Sequence, residues 1–315
     1  MAKLHSTIYL TFDCENFINK KAIFALQRIL EVMQKHETKG LFFLTGHIAE
    51  KLKDKPVVVD LLKGHQIGYH TSSHSVRPTL FEYTDIKNYD LAKKISLERE
   101  TSRINPLTGQ CEGNGGIHVL HDLFPNKQIV AFRAPGFCWS PPHLEALKEL
   151  GICFDFSTFL SKIPVKYNGI TFVPATTLMD EISFQSYPTL FRRLIQSRMA
   201  VLIFHPSSFA NSYEWDSIYF NGNPKLLQHI NSRKPNETNI LFRAFELFLK
   251  QFKVFQRSGL VTFTPPLKES QTELSVSTER IMKSYRESIN WAQERFAYKP
   301  QFLLDHFKHF FTQHP

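Results

Sequence analysis

Apolar and polar positions alternate with a period of two near the start of the chain. Ile8, Leu10 and Phe12 fall on one side and Thr7, Tyr9 and Thr11 on the other, and the run stops at Asp13-Cys14-Glu15. Alternating β-branched and aromatic residues predict a strand over 7–15 that ends in acidic groups. The period then lengthens. Ile23, Leu26, Leu30 and Met33 recur at helical spacing and predict a helix over 20–36. The same reading gives strands at 41–44, 66–69, 129–132, 152–156, 170–174, 200–204 and 260–263. Between them fall helices at 57–63, 85–103, 142–150, 187–198 and 239–252.

Strands that alternate with helices predict a mostly parallel α/β sheet with crossover helices. Polar residues stand repeatedly at the carboxyl ends of these strands, which favours a (β/α) barrel over an open sheet. Residues 106–126 contain Gly109, Gly113, Gly115 and Gly116 and read as an irregular insertion, a candidate lid. From about 268 the pattern changes. Residues 268–278 are polar and linker-like, 279–296 form an amphipathic helical pattern, and 302–311 are aromatic and basic. The expected organisation is a barrel over 1–267, with its insertion at about 106–128, and a helical extension over 268–315 that packs on the barrel.

Composition narrows the class. A chain of 315 residues with 42% hydrophobic and 21% charged residues is ordinary for a soluble protein with a full core. The net charge of +9 favours anionic partners. Charge alone does not make a nucleic-acid binder, and there is no recognition helix, zinc finger or RNA-binding signature. The four cysteines are scattered without a CxxC, against a zinc ribbon or a disulfide framework and in favour of a reducing compartment. No signal-peptide pattern opens the chain, and no stretch approaches ~18 uncharged apolar residues. A cytoplasmic protein is expected, with peripheral contact at the inner membrane face compatible with its basic, Phe-rich character.

His70 and His74 stand four apart directly after a strand. A facing imidazole pair plus one carboxylate can hold a divalent ion and leave a coordination position open; two loop histidines can equally cap and hydrogen-bond locally. Asp13 and Glu15 can divide the work of base and ligand, or serve only as an acidic pair at a helix start. His205 ends the strand Leu202-Ile203-Phe204, where it can act as a general acid or as a satisfied core histidine. Arg133, in Phe132-Arg133-Ala134-Pro135-Gly136, can hold a catalytic carboxylate by a bidentate pair. Asp155 can in turn steady His205 or Arg133.

TFDCE, GYHTSSH, FRAPG, FDFS and LIFHP, in this order over 7–264, resemble the polysaccharide deacetylase superfamily, the NodB-like or carbohydrate esterase 4 domain. The resemblance implies a distorted (β/α) barrel and a metal-dependent hydrolase, most often zinc-dependent, that removes an N-acyl group from an amino sugar. It implies Asp13 as base, His70 and His74 as metal ligands, Arg133 as the residue steadying the base, and His205 as acid. The family's usual first motif has two adjacent aspartates, and here the second position is Cys14. Other branches place the ligand two residues after the base, and i and i+2 of a strand share a face. Glu15 is therefore the favoured third ligand, with Cys14 as its alternative.

Residues 173–181, VPATTLMDE, are similar to a segment of the branch that deformylates a lipid-linked formamido-arabinose, which puts Asp180 and Glu181, with Asp155, on the substrate side. The expected substrate is an acetylated or formylated amino sugar, soluble or phosphorylated and lipid-linked, in cell-envelope glycan biosynthesis. A non-catalytic glycan-binding protein on the same fold is the alternative, and Cys14 in a ligand position is what supports it.

Overall fold

A computed structural model of the chain describes residues 6–158, 163–175, 177–179, 199–212, 214–228, 232–274 and 277–312. In chain order the elements are β1 (Ser6–Cys14), α1 (Lys20–Lys35), β2 (Leu41–Leu44), α2 (Gly46–Leu52), α3 (Pro56–Leu62), β3 (Gln66–Tyr69), α4 (Leu80–Thr84), α5 (Tyr89–Thr101), β4 (Ser102–Ile104), β5 (Cys111–Asn114), α6 (Ile117–Leu123), β6 (Ala131–Phe132), α7 (Pro141–Glu149), β7 (Phe154–Asp155), β8 (Val165–Tyr167), β9 (Ile170–Phe172), β10 (Thr177–Leu178), β11 (Met199–Phe204), α8 (Pro235–Arg257), β12 (Val261–Phe263), α9 (Thr278–Phe296) and α10 (Leu303–Thr312).

The main sheet runs β10-β11-β1-β2-β3-β6-β7-β9-β8, and β12 also pairs with β1. Every pairing is parallel except β8 on β9. Among the described residues β10 and β8 do not meet, so the (β/α) barrel is distorted and open on that side. β1 is third in this order and is the strand with three partners, β11, β2 and β12. It aligns Thr7–Phe12 with Met199–Phe204 on one edge, and Thr11–Cys14 with Leu41–Leu44 on the other.

The period-two pattern sorts side chains between two cores. Ile8, Leu10 and Phe12 join the large core between sheet and helices, together with Phe42, Leu44, Leu202 and Phe204. Their neighbours Leu41, Phe43, Val201 and Ile203 fill a smaller core inside the barrel with Phe154 and Phe156. The helices follow local rules. Asn19 caps α1 by accepting from the Lys21 N–H, and Ala22, Ala25, Leu26, Ile29, Leu30 and Met33 form its buried stripe. Thr45 caps α2 by the same device, and α8 starts on Pro235.

Three segments differ from expectation. Residues 106–126 are not wholly irregular. Cys111–Asn114 pairs antiparallel with Ser102–Ile104, and Ile117, Val119 and Leu120 of α6 are buried, so this insertion is packed onto the body. Helix α5 is shorter than 85–103, because Asn88 caps it and Ser102 is already extended. The stretch after 268 is not a free linker at its start. The Lys166 N–H donates to Thr272 O and the Leu274 N–H to Lys166 O, which extends the sheet edge at β8. The expected helix over 187–198 lies outside the described residues.

The final helices lie against the barrel. Phe307 of α10 packs edge-on to Trp139 at 4.7 Å between ring centres, and the Tyr167 hydroxyl donates to Phe310 O. The Asp85 carboxylate accepts the backbone N–H groups of Gln301 and Phe302, tying down the turn between α9 and α10.

Candidate active site

Four strands deliver polar groups to one mouth of the barrel. β1 ends at Asp13 and leads to Glu15, β3 leads to His70 and His74, β6 to Arg133, and β11 to His205. The period-two rule decides what faces the mouth. Asp13 shares the inner face with Tyr9 and Thr11, and Glu15 continues that row beyond the strand.

Glu15, His70 and His74 bring one ligand atom each within 4.8 Å of the others. Glu15 Oε2 lies 3.3 Å from His70 Nε2 and 2.8 Å from His74 Nε2. Its other oxygen accepts the Trp215 indole N–H at 2.7 Å, which fixes the carboxylate plane. His70 Nδ1 is 2.6 Å from the Arg133 carbonyl. A carbonyl only accepts, so Nδ1 carries the proton and the lone pair sits on Nε2, toward Glu15.

An imidazole lone pair and a carboxylate oxygen are both acceptors, and placed this close they call for a cation between them. Donors bound to zinc at about 2.0–2.1 Å in a tetrahedron stand about 3.3 Å apart, the spacing of His70 from Glu15, while His74 stands closer at 2.8 Å. The donor set fits a divalent ion. If the imidazoles instead carry a second proton, the charge of His74 and the hydrogen bonds from both rings hold the Glu15 carboxyl well below its ordinary range against the opposing effect of burial.

The loop carrying the histidines is held in an unusual backbone. Thr71 and His74 have φ of 61° and 50°, a left-handed conformation that costs a non-glycine residue about 1–3 kcal/mol. Backbone and side-chain bonds enforce it. Thr71 Oγ1 accepts the His74 N–H at 2.9 Å, and Glu100 Oε2 accepts the Ser72 N–H at 2.7 Å. Glu100 is itself buried and also accepts from the Tyr69 and Tyr83 hydroxyls and faces His143 Nε2 at 3.0 Å.

Beside the cluster, Asp13 Oδ1 accepts Arg133 Nη1 at 2.7 Å. The contact uses one guanidinium nitrogen, not the bidentate fork expected, because the same Nη1 also donates to Thr11 Oγ1 and Nε donates to Phe156 O. Phe43 lies under the guanidinium at 4.5 Å. The second oxygen, Asp13 Oδ2, stands 3.7 Å from His205 Nε2, beyond a hydrogen bond but within reach of a small reacting group between them.

Cys14 takes no part in this cluster. It is buried among Ala22, Ile23, Leu26 and Ile48 on the helix side of the sheet, and burial pushes its thiol well above the ordinary range. The alternation that brings Asp13 inward sends Cys14 to the helix side of the sheet, away from Glu15, His70 and His74.

Asp155 is also not on the open surface. Its oxygens accept the Ser157 N–H at 3.0 Å and the Ser157 hydroxyl at 2.7 Å, and Ser157 Oγ in turn accepts the Ala134 N–H. It is fully buried and braces the segment that carries Arg133, the steadying role the sequence offered for it. Burial raises its carboxyl to about 7, against the opposing Ser157 hydrogen bonds and the nearby Arg133 charge. Asp180 and Glu181 lie outside the described residues.

Sequence reasoning missed Trp215, Asp216 and Glu100. Glu214-Trp215-Asp216, an aromatic between acids in a polar loop, is a faint signal for the first two. Glu100 sits in a strongly charged helix, with only Ala92 and Ser96 one and two turns before it to mark a buried face.

A polysaccharide deacetylase family model matches residues 2–154. Over that stretch, just under half of its length, the chain is similar to the polysaccharide deacetylases. Two curated relatives match shorter stretches. One is an uncharacterised 30.6 kDa protein of Geobacillus stearothermophilus, 31% identical over 134 residues, covering 41% of this chain and 43% of that one. The other is the peptidoglycan-N-acetylmuramic acid deacetylase PdaA of Bacillus subtilis, 40% identical over 72 residues, covering 22% and 24%. The matches thus span less than half the length of either relative. Among solved structures, Puue allantoinase superposes with a TM-score of 0.52 at 11% identity, covering 95% of this chain and 93% of its own, a likeness of fold. No helix among the described residues is long and apolar enough to cross a membrane.

Proposed function

We propose that this protein is a metal-dependent hydrolase that removes an N-acyl group, acetyl or formyl, from an amino sugar in a glycan or glycan precursor. The observation that carries the reading is the convergence of Glu15, His70 and His74 within 4.8 Å beside the Asp13–Arg133 pair at one mouth. Glu15, His70 and His74 are the ligands in this reading. A divalent ion held there, zinc in this reading, would supply an acidified water and a polarised carbonyl.

The chain's own groups do the proton work. Asp13 takes the proton of the attacking water, and the Arg133 bond to Oδ1 holds that carboxylate turned so that Oδ2 faces His205. His205, across from Asp13, gives a proton to the departing sugar nitrogen. The products are a free amine and acetate or formate. The excess of positive charge suits a phosphorylated or lipid-linked substrate at the cytoplasmic membrane face.

The test is release of acetate or formate from N-acetylated chito-oligosaccharide and from a formamido sugar carried on polyprenyl phosphate. Chelation with verified metal loss should stop turnover, and added zinc or cobalt should restore it. Asp13→Asn should keep the metal and lose about 10²–10⁴-fold in kcat. Full turnover after metal removal, or in Asp13→Asn, would contradict the scheme.

A further inference from the structure

Helix α9, in the carboxyl-terminal extension, reaches the candidate metal site. Arg295 Nη1 donates to Asp216 Oδ1 at 3.2 Å, and its Nη2 to Glu214 at 2.6 Å. Asp216 is 2% exposed, and its Oδ2 accepts the Ser75 hydroxyl at 2.6 Å. Ser75 Oγ lies 2.7 Å from His74 Nδ1. Trp291, one turn before Arg295, stands edge-on to the His74 ring at 6.0 Å.

The direction of this chain of bonds is fixed by counting protons. A carboxylate only accepts and a guanidinium only donates. The one Ser75 hydroxyl proton therefore goes to Asp216, and its oxygen must accept from His74 Nδ1–H. That places the His74 lone pair on Nε2, the atom 2.8 Å from Glu15. His70 gets the same tautomer from a backbone carbonyl, but His74 gets it from a side-chain relay ending in the extension.

We propose that Arg295 of the carboxyl-terminal helix is a positioning residue of the metal site, acting through Asp216 and Ser75 to set the tautomer and ring orientation of His74. This rests on the ligand set under Proposed function. Outer partners of metal-bound histidines change affinity by about 10–100-fold when removed.

The test measures zinc affinity of the full chain by competition with a chromophoric chelator, together with the visible absorption spectrum of the cobalt-loaded protein. Ser75→Ala and Arg295→Met should each weaken zinc binding, by about tenfold or more for Ser75→Ala, and shift the cobalt bands, while the apo-protein melting temperature stays within a few degrees. Arg295→Lys should restore most of the affinity. The double variant should be no weaker than Ser75→Ala alone, because both act on one path. Glu214→Gln, which cuts only the outer arm, should change nothing. Less than a twofold change in Ser75→Ala or Arg295→Met, or additive losses in the double variant, would overturn the relay. Glu15→Gln separates the two claims: if it abolishes binding while Arg295→Met does not weaken it, only the relay is wrong. If Glu15→Gln binds zinc normally, the ligand set itself is wrong.

Discussion

Replacing Arg133 by methionine should destabilise the protein by about 3–5 kcal/mol, because it leaves the Asp13 carboxylate buried without its cation. Asp13 and Arg133 side chains are only 4% and 1% exposed, so water cannot take over the lost partner. Thr11 Oγ1 keeps its bond to Leu202 O, and the Phe156 carbonyl loses only a long 3.3 Å contact, so most of the cost falls on Asp13. At about 2.1 cal/mol/K of unfolding entropy per residue, this lowers the melting temperature by about 5–8 °C.

The discriminating variant is Asp13→Asn combined with Arg133→Met. It removes both charges, and it should be more stable than Arg133→Met alone, a coupling that a double-mutant cycle in urea reads directly. A melting temperature within 2 °C of wild type for Arg133→Met would refute the reasoning, as would a double variant whose loss equals the sum of the two single losses.

Cys14→Ala should leave zinc affinity and turnover within about twofold of wild type, whereas Glu15→Gln should lose the metal; a chelator titration distinguishes them. Glu100→Gln should cost about 1–3 kcal/mol, since an amide presents donors to a pocket of donors, and should weaken zinc binding by relaxing the loop at 71–74; urea denaturation and the same titration check it. The Asp155 carboxyl binds its proton more tightly in the fold, near pH 7, than in the unfolded chain, near 3.8. Its contribution to stability is therefore complete below pH 4 and is lost as the pH rises toward 7. Asp155→Asn should flatten that part of a melting-temperature profile, and an unchanged slope would exclude the assignment.

Much of the barrel was legible because β1 alternates and most other strands are short apolar runs. The strand expected at 41–44 forms over those same residues, where Leu41-Phe42-Phe43-Leu44 follows Gly40, and the one expected at 66–69 forms over Gln66–Tyr69. The alternation also puts Cys14 on the face opposite Asp13. What escaped was structure set by distant partners. β8 has only three residues, Val165-Lys166-Tyr167, and becomes a strand because β9 and residues 272–274 pair with it. Asp155 read as a polar strand end like the others. Only the Ser157 hydroxyl, two residues on, turns it inward, and short-range hydrogen bonds of that kind have no period. Trp215, Asp216 and Arg295 converge on the histidines from positions about 140–225 residues away, and nothing in local spacing announces such a meeting.

The pairing of β1 with β11 has a temporal side. The partner strand β11 begins 192 residues later, as the Thr7–Met199 alignment requires. A ribosome adding 5–20 residues per second makes that partner about 10–40 s after β1 emerges. Through that interval Ile8, Leu10 and Phe12 form an apolar segment whose β11 edge is unclaimed, and Asp13 cannot yet meet His205.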